Sequence, residues 1–161
     1  MNSKEKTLWH KVLDFNIDDP DSSFTFTDRL CRENNWTMEY ALRAVFEYKK
    51  FIFLICTTDQ AQTPSDQVDQ VWHLHLLYTR SYWLDFCKDL LQKNIHHGPT
   101  KGIEEKGFFK NQYSSTLEQY SKKFNESPPP DIWPKPQDKT SEIYFSRVNR
   151  HRYWVIQKLK F

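Results

Sequence analysis

Four of the six histidines fall in two close pairs, His73 with His75 and His96 with His97. The first pair lies in "SDQVDQVWHLHLLYTRSYW" (65–83) and the second in "IHHGPTKG" (95–102). Imidazole, alone or beside a carboxylate, is a ligand type for iron, zinc, manganese or copper. An HxH string therefore raises the question of whether both rings can reach one ion. From a strand they can, because residues i and i+2 share a face. From an α-helix they cannot, because two steps of about 100° point them to nearly opposite sides.

The local sequence favours a helix. In "TPSD" (63–66), Thr63 is placed as N-cap, Pro64 at the first helical position and Asp66 three residues on, which is a capping box. No Gly or Pro follows until Gly98, so the helix is expected to run to about Lys93, with Asn94 as its left-handed end. On that helix His73 shares a face with Asp69, one turn earlier, and with Leu76 and Leu77. An Asp–His pair at this spacing can share an ion, or the carboxylate can orient the ring. His75 shares its face with Val71, Trp72, Tyr78 and Thr79, and reads as an imidazole packed among aromatics and bonded to a hydroxyl.

The preceding segment, "TMEYALRAVFEYKKFIFLIC" (37–56), is also helical, with a stripe of Met38, Ala41, Leu42, Val45, Tyr48 or Lys49, and Ile52. Its end is apolar all round and should be buried. A short connector makes the two helices an antiparallel pair with a midpoint near residue 60, which sets Glu47 opposite His73. Glu47, Asp69 and His73 could then converge as metal ligands, or as a ligand and its orienting groups. A Glu–His hydrogen bond or a Glu–Lys pair without metal accounts for the same residues.

The second pair stands apart from the first. A helix from 73 to 93 is ~30 Å long, which separates His73 from His96 and His97 unless the helix breaks near Tyr82. Two readings of the HHGP loop stay open. Cys87, His96 and His97 could form a zinc cluster, although the spacing is not a standard one. Alternatively, the imidazoles cap the negative end of the helix dipole.

Other elements must position these groups. Residues 4–16 place Leu8, Trp9, Val12 and Leu13 at helical spacing, and "DDPDSS" (18–23) is a loop. A short helix spans about 24–34, capped by Thr25 or Thr27 and ended by Asn34-Asn35. A further helix from about 104 to 124 presents Phe109, Tyr113, Thr116, Leu117, Tyr120 and Phe124 on one face. "SPPPDIWPKPQD" (127–138) holds five of the eight prolines, so it should lie extended, pinned by Ile132 and Trp133. The tail "RYWVIQ" (152–157) reads as an extended segment packed on the bundle, with the end of a helix from residue 141 as the alternative. The expected fold is all-α: a compact bundle of about four to five helices with an extended Pro-rich C-terminal segment. We expect one domain over 1–161, with an N-terminal helix and loop (1–22), core helices (24–126) and the Pro-rich segment and tail (127–161).

Composition narrows the function classes. Twelve Phe, eight Tyr and six Trp can build the core of a 161-residue domain despite a hydrophobic share of 38%. Only three glycines argue against a turn-rich β-sandwich. A net charge of +2 is too mild to imply nucleic acid. The tail residues Arg147, Arg150, His151, Arg152, Tyr153, Trp154, Lys158 and Lys160 could touch RNA or an acidic partner, but a solvated charged face beside a packed Trp is the preferred reading. Cys31, Cys56 and Cys87 lack CxxC spacing and read as reduced thiols of a cytoplasmic protein. The first fifteen residues show no apolar signal-peptide core, and the longest apolar run, "FIFLIC" (51–56), is too short for a membrane span. GxSxG, P-loop and GxGxxG motifs are absent.

The strings "FTFTDRLCRENNW", "EYKKFIFL", "TPSDQVDQVWHLHLLYTRSYW", "HHGPTKG", "YSSTLEQY" and "PPPDIWP" extend over residues 24–134. In order and spacing they resemble a bacterial family of uncharacterised proteins related to the glycine-rich domain-containing proteins of plants. The resemblance implies no established reaction, and it implies a domain used both alone and fused to other segments. It points to Asp69, His73 and His75 in VDxVWHxH, and to His96 and His97 in HHGPT, as functional positions. Asn35 stands where the family usually has Gly, which still suits a left-handed helix end. Ile103 stands where a second Gly usually follows Gly102, so a role for 96–103 carries over less directly. The low-complexity glycine-rich portion is lacking, and roles attached to it do not transfer.

The leading expectation is a cytoplasmic metal-binding helical protein, with or without catalysis of an unidentified reaction. Its ligand candidates are His73 first, with Glu47, Asp69, His96, His97 and His75. The competing expectation is a non-catalytic interaction module with structural His and Trp residues, serving a protein or small-molecule partner. Contact of the tail with nucleic acid is the weaker third.

Overall fold

The computed structural model describes residues 1–98, 106–136, 152 and 154–156. Those residues form five α-helices and one π-helix and contain no strand. The helices are α1 (Ser3–Asp14), α2 (Phe26–Asn34), α3 (Met38–Thr57), α4 (Asp66–Leu77), a π-helix (Arg80–Leu91) and α5 (Lys106–Phe124).

Polar caps start most of them. Asn2 with Glu5 and Thr25 with Asp28 form reciprocal capping boxes, and Thr37 accepts from the Tyr40 amide. Of the two threonines at the start of α2, Thr25 is the cap because Thr27 is bound to Asp18 through both its amide (2.8 Å) and its hydroxyl (2.7 Å). Asn35 ends α2 in the left-handed region, φ 55°, as its side chain permits.

The central element is α3, which packs against α1, α2, α4 and α5. Phe51, Ile52, Phe53 and Leu54 are fully buried, as the all-apolar end of this helix requires. Its stripe differs from the expected one. Ala41, Ala44, Val45, Tyr48, Phe51 and Ile52 face the core, whereas Met38 and Leu42 are exposed.

The segment 64–93 is not one regular helix. It begins two residues later than expected, with Ser65 as N-cap accepting from the Val68 amide at 3.2 Å. Thr63 is instead tied to α5, its hydroxyl donating to Gln112 (2.8 Å) and its amide to Thr116 (2.9 Å). The α-helix then stops at Tyr78, φ −86° and ψ 64°, with the Tyr78 amide bonded to His75 O three residues back. The Tyr78 ring is engaged by Phe26 (centroids 5.3 Å) and by the Arg29 guanidinium (5.8 Å). After it the chain resumes as the π-helix, a form common at functional sites as single turns but here twelve residues long. The left-handed residue that ends it is Gln92, φ 52°, rather than Asn94.

In α5, Tyr113, Thr116 and Tyr120 are buried on one face as their spacing predicts; the Phe109 side chain lies outside the described residues. The Pro-rich segment is held more deeply than by surface pinning. A turn in which the Ile132 and Trp133 amides both donate to Pro129 O drives these two side chains into the core. Of the tail, Trp154, Val155 and Ile156 are non-helical and exposed; Arg147, Arg150, His151, Tyr153, Lys158 and Lys160 lie outside the described residues. No helix among the described residues is long and apolar enough to cross a membrane.

Candidate metal centre

Asp69 and His73 sit one turn apart on the same face of α4, with Asp69 Oδ2 and His73 Nε2 3.6 Å apart. A third group reaches them from the loop after the π-helix. His97 Nε2 lies 2.7 Å from Asp69 Oδ1, and its ring centroid is 4.5 Å from that of His73. One ligand atom from each of the three residues lies within 4.8 Å of the others. The His73 side chain is 50% exposed, whereas Asp69 and His97 are 27% and 19% exposed, so the cluster opens to solvent on the His73 side.

Two imidazoles and one carboxylate suit a borderline divalent ion. Ligand atoms at ~2.0–2.2 Å from a tetrahedral ion are ~3.3 Å from each other. The Asp69–His97 and Asp69–His73 spacings of 2.7 and 3.6 Å lie on either side of that value. The Asp69–His97 hydrogen bond occupies the line on which an ion would sit.

The break at Tyr78 makes this assembly possible. The π-helix packs on α4 and α1, so the chain after Leu91 returns toward α4 instead of ending ~30 Å away. Within the interface the Trp72 indole N–H donates to the Tyr82 hydroxyl (2.9 Å), which donates to Ile95 O (2.6 Å). Trp72 also meets the His97 ring edge-to-face at 4.4 Å. The expected separation of the two histidine pairs is thus corrected for His97.

His96 is exposed against Trp83, with ring centroids 5.4 Å apart, and does not join the cluster. Cys87 is fully buried, and burial raises its thiol above the usual value; no group of Cys87 with His96 and His97 forms among the described residues.

Glu47 is likewise placed elsewhere. It is buried, with Oε1 accepting from Lys50 Nζ (3.0 Å) and Tyr120 OH (3.2 Å), and Oε2 accepting from the Trp133 indole (2.9 Å). Lys50 also pairs with Glu126 and donates to Tyr120 at 2.7 Å. Of the alternatives open for Glu47, the Glu–Lys pair is the one formed. The antiparallel estimate erred in helical phase, since it located position 47 along α3 but not around it.

His75 is fully buried between Tyr48 and Ser81. Tyr48 OH lies 2.9 Å from Nδ1, and Ser81 Oγ lies 3.2 Å from Nε2. Phe15, Phe26, Tyr82 and Phe86 surround the ring. Burial alone pulls its pKa down to about 3, so it is neutral at physiological pH. Both nitrogens are already bonded to hydroxyls, as its face of the helix implied.

Trp72 and Tyr82 had no signal in sequence beyond being aromatic. The meeting of His97 with Asp69 and His73 had none either, because neither Gly nor Pro marks the break at Tyr78. A family model described as UCP032817-like matches residues 23–123, which include all three residues of the cluster. No curated protein and no solved structure matches the chain.

Proposed function

The chain belongs to the UCP032817-like family, and we propose that in this chain Asp69, His73 and His97 hold a divalent transition metal. The observation that carries this reading is the convergence of three ligand atoms within 4.8 Å from two elements distant in sequence. Zinc and ferrous iron are the first choices for a His/His/Asp set, with manganese and copper following. Three protein ligands leave positions for water or a small-molecule partner, which is the arrangement of a catalytic rather than a closed structural site. An ion so held supplies Lewis acidity or an activated water. Asp69 and His73 fix one edge of the site on a rigid helix, and His97 closes the other from the loop.

The test is metal analysis of protein purified without a polyhistidine tag, followed by titration with zinc, ferrous iron, manganese and copper. About one equivalent bound, lost in His97→Ala, is the expected result. Less than a tenth of an equivalent, with no binding on addition, would sink the reading.

A second reading rests on the 2.7 Å Asp69–His97 contact, which is complete with a proton alone. The cluster would then staple the 92–98 loop to α4 in a non-catalytic interaction module for a protein partner. The motif order supports a relation to the plant glycine-rich domain-containing proteins, in which such a module is fused to other segments. Three unpaired cysteines support a cytoplasmic setting.

A further inference from the structure

We infer that Tyr82 is the positioning residue of this site, holding His97 against Asp69 and His73 without touching an ion itself. The inference rests on the metal reading above, but its geometry is independent of it. Tyr82 is fully buried, and its hydroxyl sits at a branch point. It accepts from Trp72 Nε1 at 2.9 Å and donates to Ile95 O at 2.6 Å. Both partners adjoin the ligands. Trp72 precedes His73 on α4 and meets the His97 ring at 4.4 Å, while Ile95 is two residues before His97.

Two residues span at most ~7 Å, so a fixed Ile95 carbonyl leaves the His97 backbone little room. The buried Ile95 side chain sets the depth of the loop, and the hydroxyl bond sets its register. One oxygen therefore ties the π-helix, α4 and the ligand loop together. Groups that orient ligands in this way typically change metal affinity by ~10–100-fold when removed.

The experiment compares Tyr82→Phe with Tyr113→Phe. Tyr113 is a buried tyrosine whose hydroxyl donates to Pro134 O (2.8 Å) in the Pro-rich segment. Zinc affinity by chelator competition, the visible spectrum of the cobalt-loaded protein and amide exchange of Ile95–Gly98 in metal-free protein are measured for each. The expected result is a ~10–100-fold loss of affinity, an altered cobalt spectrum and faster exchange for Tyr82→Phe, with none of these for Tyr113→Phe. Affinity within twofold of wild type, or an equal loss in both variants, overturns the inference. If wild type binds no metal, the metal reading fails by itself. Amide exchange then decides: selective acceleration in Tyr82→Phe supports the tether, and no acceleration overturns it. Should Tyr82→Phe fail to fold, Trp72→Phe removes the second bond of the same hydroxyl and is read by the same measurements.

Discussion

Asp69 Oδ1 and His97 Nε2 lie 2.7 Å apart although 28 residues separate them in the chain. That contact turns an ordinary i, i+4 Asp–His pair into a three-group cluster. It exists because the helix carrying Asp69 ends at Tyr78 and the following π-helix returns the chain.

Ligand substitutions should separate the cluster from its neighbours. We expect His73→Ala, His97→Ala and Asp69→Asn each to weaken zinc binding at least tenfold by chelator competition. His75→Gln and Glu47→Gln should leave it within about twofold, because both side chains are bonded elsewhere. Loss of binding in His75→Gln with a folded protein would place the ion on the other face of α4.

The acid limb of stability should carry the signature of His75. Its folded pKa is depressed to about 3 by burial, below the ~6.5 of the unfolded chain. Between those values the unfolded state binds more protons, so stability is full above about pH 6.5 and falls as pH drops toward 3, by up to ~1.4 kcal/mol per pH unit from this group. Urea midpoints of wild type should drop between pH 7 and pH 5 in metal-free buffer. His75→Gln, which cannot titrate, should drop less over that interval; equal slopes would mean the ring is reached by water.

The Glu47–Lys50 pair should be costly to halve and cheaper to remove whole. Both side chains are nearly sealed from solvent, and Glu47→Leu leaves the Trp133 indole without its acceptor and the Lys50 ammonium to Glu126 and Tyr120, at ~1–3 kcal/mol. Glu47→Leu combined with Lys50→Met should lose less than the Glu47→Leu and Lys50→Met single substitutions added together. Chemical denaturation of the four proteins measures this directly, and simple additivity would contradict the coupling.

The Pro-rich segment should be held by its Trp rather than by its surface ion pair. Trp133→Ala empties a buried site and should cost ~3–5 kcal/mol. Arg43→Ala removes a bridge to Asp131 whose side chains are each 46% exposed, and should cost less than ~1 kcal/mol. Limited proteolysis should accordingly cut near residues 127–136 in the first variant and not in the second.

Local signals in the sequence were sufficient for much of the architecture. Thr25 and Thr37 cap helices because a side-chain oxygen can reach an orphan amide within one turn, and Asn35 tolerates the left-handed end. The Asp69–His73 pair and the opposite facing of His75 follow from the helical repeat, and the aromatics that share the face of His75 pointed to its packing. Even the Ile132–Trp133 anchor was readable as two large apolar groups among prolines. What failed was long-range or depended on competition. Thr63 has a cap's side chain, yet its contacts with Gln112 and Thr116 tie it to α5 and Ser65 caps α4. Glu47 is a competent ligand, yet its position around α3 aims it at Lys50, Tyr120 and Trp133.

Capping and periodicity act within a few residues of the chain, so most helix starts and the Asp69–His73 half of the cluster can be read without the fold. The break at Tyr78, the packing of the π-helix on α4 and the arrival of His97 at Asp69 are set by long-range packing instead. Those outcomes depend on Phe26, Arg29, Trp72 and Tyr82 meeting groups distant in sequence, and packing of that kind leaves no period or spacing to read.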